Sequence, residues 1–201
     1  NCNTPVSIAI PIPSGIQKDK TGAGGLQCTE SEYGDPYEVM GFNIYGGNFY
    51  HFNAPHKDAL HWLPPHKIRI AAGSAAYRIF NQEDILTGPQ ALQVFKPDTL
   101  EYYFVSFRKA VGFDRALPQD MTGGASIHIW NEWPARQTLL IDANPQTPLN
   151  DLTLTDGVIF QDEINGIKIR QISHEGNSVT VEVINAPAVP RVTIQGSHAD
   201  E

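Results

Sequence analysis

The residues best suited to chemistry lie in the first third of the chain. His51, His56, His61 and His66 recur at intervals of five, and four imidazoles invite a zinc site. The spacing argues against a shared one. Five residues on a helix turn by about 140°, so neighbouring histidines would face different ways, and an odd spacing on a strand alternates sides. Prolines at 55, 64 and 65 also confine any helix here to the middle two histidines. No HxH, HxxxH or HExxH spacing occurs. Nucleophile motifs are equally absent: there is no GxSxG, and the GAGG at 22–25 is not followed by the GK[ST] of a phosphate loop. DGVIFQDEING (156–166) could be read as a calcium loop, but its spacing is not that of an EF-hand, and a strand-turn-strand with Asn165-Gly166 at the corner explains it more simply. No carboxylate pair for glycoside chemistry stands out among 22 acids. From the residues alone, no complete active site is legible.

One stretch raises a sharper question. Residues 32–42 read EYGDPYEVMGF, with a methionine between a Gly-Asp-Pro turn and another glycine. The chain has only two methionines, so ordinary core filling behind a turn is not an obvious reason for Met40.

The elements that must position these residues follow from pattern. The chain has 201 residues, long enough for one large domain or two small ones. Hydrophobic content of 41% and charged content of 18% describe a folded chain. Glycine and proline, 17 and 15 residues, favour strands joined by turns. A net charge of −8 repels phosphate backbones, and no basic stripe offsets it, so nucleic acid is not an expected partner. No apolar run approaches a membrane span.

Asn53 to Pro65 is the one helix expected, capped by Asn53, with Ala59, Leu60 and Leu63 on one face and His56 flanking it. From there the period changes to two. Strands are expected at 67–72, 76–81, 91–96, 101–108, 126–130, 138–143, 157–160, 166–172 and 178–184, with clean alternation in the last two. Many short strands at close spacing predict an antiparallel sandwich with one wet face per sheet. Cys2 and Cys28 bracket a Gly-rich segment. A disulfide between them would contribute about 3 kcal/mol by chain entropy and imply an oxidising compartment; two reduced thiols are the alternative.

EYGDPYEVMG followed by HFNAPHKDALHWLPPHKI resembles the gametolysin family of secreted zinc metallopeptidases. The likeness continues through EYYFVSFRKAVGFD and LLIDANP to GVIFQDEINGIKIRQI, spanning about Cys28 to Ile184. In metzincin-type peptidases a helix bearing HExxHxxGxxH supplies three zinc ligands, and a tight turn places a methionine beneath them. The resemblance implies that Met40 is this Met-turn residue, an apolar floor that does not ligate the metal. Gly34, Asp35 and Pro36 would form the approach turn, Gly41 would reverse the chain, and Phe42 and Tyr45 would line part of the substrate cleft. Phe42 stands where some metzincins carry a tyrosine that approaches zinc.

The resemblance also implies what the chain lacks. The HExxH helix, with its general-base glutamate and three histidines, would lie upstream of Asn1, which is neither an initiator methionine nor the start of a signal peptide. The expected fold class is therefore α+β, mainly β. Residues 1–65 would complete a metallopeptidase catalytic domain, 66–190 would form the β-sandwich, and 191–201 a tail. The parent enzyme would be secreted and would hydrolyse a protein or glycoprotein substrate with zinc-activated water, whereas this chain alone would be inactive. The alternative is a non-catalytic extracellular β-sandwich binding or adhesion module, with contact residues drawn from Tyr102, Tyr103, Trp130 and Trp133.

Overall fold

The computed structural model describes residues 35–41, 50–131, 137–143 and 152–190. Within them the chain is mainly β. Nine strands form: β1 (Ile68–Ile70), β2 (Gly73–Phe80), β3 (Ala91–Lys96), β4 (Glu101–Phe107), β5 (Ala125–Asn131), β6 (Gln137–Ile141), β7 (Ile159–Asp162), β8 (Ile167–Glu175) and β9 (Ser178–Ala186). Each falls on or overlaps a segment expected to be a strand. They assemble into a five-stranded sheet in the order β1-β3-β4-β5-β6 and a four-stranded sheet in the order β2-β9-β8-β7.

The two sheets share one apolar core. Leu92, Val94, Tyr103, Val105, Ile127, Ile129 and Ile141 from the first meet Ile79, Phe160, Ile167, Ile169, Val179, Val181 and Val183 from the second, all buried. The alternation in β8 and β9 has its expected consequence. Ile167, Ile169, Val179, Val181 and Val183 point inward, while Lys168, Arg170, Thr180 and Glu182 remain partly exposed. Turn chemistry closes the hairpins, with Gly166 and Gly176 at positive φ. In the 156–166 segment, Asp162 Oδ1 accepts the amides of Ile164 and Asn165 at 3.1 and 3.2 Å. Its Oδ2 accepts from Tyr103 Oη and Asn165 Nδ2 at 2.9 and 2.7 Å. These oxygens organise a turn.

Three features depart from the sequence expectation. The larger sheet is mixed, because β1 pairs with β3 in parallel. The chain leaves β1, makes β2 in the opposite sheet and returns to β3, so β1 and β3 run the same way. Secondly, the outer face of the larger sheet is covered. β4 is buried along both faces, and Phe104 and Trp130 pack with Ala54 and Leu63 in a second cluster. Leu140 joins Tyr37, Tyr50, Leu117, Met121 and Leu152 in a third.

Thirdly, the helix is shorter than its pattern suggests. α1 spans Ala54–Ala59 only, because Leu60 caps it and His61 adopts φ 58°. Its buried residues are Ala54, Pro55 and Lys57, while Ala59 and Leu60 face outward. A single turn, α2, follows at Gln119–Thr122. No described helix is long and apolar enough to cross a membrane.

Candidate functional site

The turn carrying Met40 is built from its own first residue. Asp35 Oδ1 accepts the Tyr37 amide at 2.9 Å, and the Gly41 amide returns to the Glu38 carbonyl at 3.0 Å. A Cβ at Gly41 would lie 1.7 Å from the Asp35 carbonyl oxygen, so only glycine closes this loop. Asp35, Pro36, Tyr37 and Glu38 are buried, while Val39 and Met40 are exposed. Met40 is 57% exposed, against 1% for Met121, which sits in the third cluster. Gly34, Phe42, Tyr45, Cys2, Cys28 and Trp133 lie outside the described residues. The structure therefore places Met40, Gly41, Asp35 and Pro36 of the predicted turn.

Two buried ion contacts fasten this turn to the larger sheet. His128 of β5 is fully buried, and its Nε2 lies 3.2 Å from Asp35 Oδ2. Burial pushes the Asp35 carboxyl up. The hydrogen bond and charge of His128, the Tyr37 amide and the Arg108 charge outweigh it, and the group titrates below the usual carboxylate range. Arg108, just past β4, is the second anchor. Its Nε donates to Asp114 Oδ2 at 2.8 Å and its Nη2 to Asp114 Oδ1, a bidentate pair with both partners buried. Arg108 Nη1 donates to the Tyr37 carbonyl, and Nη2 also to that of His51 at 3.1 Å. One guanidinium thus ties together the Met40 turn, the chain entering α1 and the Gly112–Asp114 helical turn.

The same turn is linked to α1. Asn53 caps the helix by accepting the His56 amide at 3.0 Å, and its Nδ2 donates to Thr138 Oγ1 at 2.9 Å. Buried Glu38 pairs with His56 Nδ1.

Behind these contacts lies a nest of displaced titrations that the sequence did not disclose. The Lys57 residue is 3% exposed and its amine makes no hydrogen bond or ion pair among the described residues. Burial lowers its pKa to about 8; the Arg108 charge lowers it further, and Glu83 and Asp114 partly restore it. His51 is lowered to about 4, chiefly by burial, with Lys57 and Arg108 also lowering it and Asp114 raising it. Its imidazole is therefore neutral at pH 7. Glu83, whose buried Oε1 has no hydrogen-bond partner among the described residues and lies 3.9 Å from His51 Nε2, is raised by burial. Gly112, at φ 59°, makes room for it, since a Cβ there would meet Glu83 Oε2 at 2.7 Å.

Exposed rings flank the nest. Trp62 and Phe113, 56% and 73% exposed, stand edge-on to His51 at 6.0 and 5.4 Å. Such a cluster of shifted groups is one physical signature of a site, and buried ion networks produce it too.

The four regularly spaced histidines do not converge. His51 faces Glu83, His56 pairs with Glu38, and His61 and His66 are exposed. Among the described residues no group of three or more His, Cys, Asp or Glu side chains could hold a metal ion. They therefore do not fit the role of zinc ligands. Of the four aromatics considered as a contact surface, Tyr103 and Trp130 are buried and Tyr102 is half-buried.

Arg108, Asp114, His128, Lys57 and Glu83 are the functional candidates that pattern reading missed. A signal for Arg108 was present. EYYFVSF is apolar at both parities, unlike β8 and β9, and a strand apolar on both faces is covered on both. Any charge ending such a strand must be paired.

Comparisons with family models, with curated proteins and with solved structures return no match.

Proposed function

We propose that this chain is the C-terminal part of a secreted, zinc-dependent metalloendopeptidase of the gametolysin type, with Met40 as its Met-turn residue. One observation carries the reading. A thioether is held in the open, 57% exposed, at the tip of a turn whose base is locked by His128 and Arg108. The chain's other methionine fills a core, as methionine commonly does. An apolar side chain fixed outward on an anchored turn suits a floor on which something else is seated. The sequence resemblance says what that is.

The reading assigns the zinc ligands to a helix encoded upstream of Asn1, and peptide hydrolysis to the intact protein with a protein or glycoprotein as substrate. Residues 1–65 belong to its catalytic domain and 66–190 to the strand-built body, and this chain alone is inactive. Secretion rests on the Cys2–Cys28 bridge, and thiol titration of the unreduced protein is expected to find no free thiol; two would remove the case for export.

The test is the upstream coding sequence and its product. An HExxHxxGxxH ending shortly before Asn1, with chelator-sensitive hydrolysis of a protein substrate, is expected. A signal peptide directly preceding Asn1 would overturn the reading in favour of the extracellular binding module. That second reading has an observation of its own, the exposed Trp62 and Phe113 beside His51.

A further inference from the structure

The corner where the chain passes from one sheet to the other contains a second feature, on elements that take no part in the Met40 turn. β1 is the last strand of the five-stranded sheet and β2 the last of the four-stranded sheet. Only Ala71 and Ala72 separate them, so two edges that are free among the described residues lie side by side. Between them runs a groove of about 430 Å³, lined by Arg69 and Ile70 of β1, by Ala76, Arg78 and Phe80 of β2, and by Pro89.

The direction of the free backbone groups follows from one hydrogen bond. The Phe80 amide donates to the Pro89 carbonyl at 2.7 Å, away from β9. β2 pairs with β9 without irregularity from Ala75 to Phe80. Along such an antiparallel strand, alternate residues turn both N–H and C=O to the same edge. Arg78 and Ala76 therefore present theirs to the groove, and neither has a backbone partner there among the described residues.

The charge of the groove is opposite to that of the whole chain. Arg78 is held by Nε donating to Ser178 Oγ at 2.9 Å, with Cζ 5.3 Å over the Phe80 ring. Neither Arg78 nor Arg69 has a carboxylate within ion-pair distance among the described residues, in a chain of net charge −8. Charged side chains on an edge also discourage strand pairing between copies. Here they stand beside an isoleucine, Ile70, left 57% exposed, and two positive copies of the edge would repel each other while an acidic strand would not.

We propose that this corner docks an extended acidic peptide segment, which adds to β2 by pairing with the backbone of Ala76 and Arg78 and sets carboxylates against Arg69 and Arg78. The free backbone edge favours a peptide over other polyanions, because only a peptide can complete the ladder. The proposal does not rest on the peptidase reading, and its failure would leave that reading untouched.

A labelled peptide of alternating threonine and glutamate, titrated by fluorescence anisotropy, tests it against the corresponding threonine-lysine peptide. Binding of the acidic peptide only, weakened by salt and by about tenfold in Arg69→Glu and in Arg78→Glu, is expected. Ala76→Pro removes an outward N–H without touching the β9 ladder, and is expected to weaken binding similarly. In the unaltered protein the Ala76 and Arg78 amides should become protected from hydrogen exchange when the peptide is added, a readout independent of whether any variant folds. Absence of acidic-peptide binding would overturn the proposal. So would binding that leaves those two amides unprotected, or a sulfated oligosaccharide that binds as tightly and ignores Ala76→Pro.

Discussion

Arg108 and Asp114 form a bidentate ion pair away from solvent. Both are buried, and the guanidinium also donates to the Tyr37 and His51 carbonyls. Removing one member of such a pair leaves a desolvated charge and unmet donors. Asp114→Asn is expected to cost about 3 kcal/mol or more, read from urea unfolding; a loss within the range of ordinary surface changes would contradict the account of the anchor. Lys57 makes the opposite case. Its amine titrates near 8 in the fold against an ordinary 10.5, so between those values the unfolded chain binds more protons and stability rises with pH. The useful interval ends near 10, because burial holds the Tyr103 phenol above its ordinary 10.0 and works the other way beyond it. Lys57→Met is therefore expected to raise the melting temperature at pH 7, with the gap narrowing as pH climbs from 8 to 10. A destabilised variant, or a constant gap, would show that the amine has a partner that stabilises its charge. Neither residue could be picked out in the sequence, because a lysine in a short helix and an aspartate in a loop look alike whether solvated or buried.

At the scale of elements, the Met40 turn depends on glycine for steric room. Gly41→Ala would drive a methyl group into the Asp35 carbonyl and open the loop. A loss of about 1–3 kcal/mol is expected, together with a shift in the His128 ring resonances as Asp35 is displaced; unchanged stability would mean that the loop is not closed as described. Asn53→Ala removes the helix cap and the Thr138 contact together, and about 1–2 kcal/mol is expected in thermal unfolding. The strands were legible because short runs of β-branched and aromatic residues bounded by turn residues are local signals. The helix was overextended because its end is set by His61 in a left-handed conformation, which its position before Trp62 and Leu63 does not advertise. The parallel pairing of β1 was not legible at all. It depends on which sheet β2 joins, a long-range choice.

At the largest scale, the described residues form a two-sheet body with a turn and a helix fixed on the outer face of its larger sheet. The anchors are polar and buried: His128 to Asp35, Arg108 to Tyr37 and His51, Asn53 to Thr138. Anything resting on residues 35–41 is thus referred to β4, β5 and β6, a stiffer support than a free loop. This gives the strand-built body a purpose in the peptidase reading, that of holding the floor of a metal site still. The covered face could have been anticipated from β4, whose apolar residues do not alternate, but what covers it could not. The central claim is that the Met40 thioether lies beneath a metal in the intact protein. Its most direct test is the ¹³C-methyl methionine spectrum of the full-length gene product, recorded with zinc bound and after chelation. The Met40 methyl is expected to shift on metal removal while the Met121 methyl, buried in its own cluster, stays in place. A Met40 signal indifferent to the metal, or a full-length protein that binds none, would contradict the account.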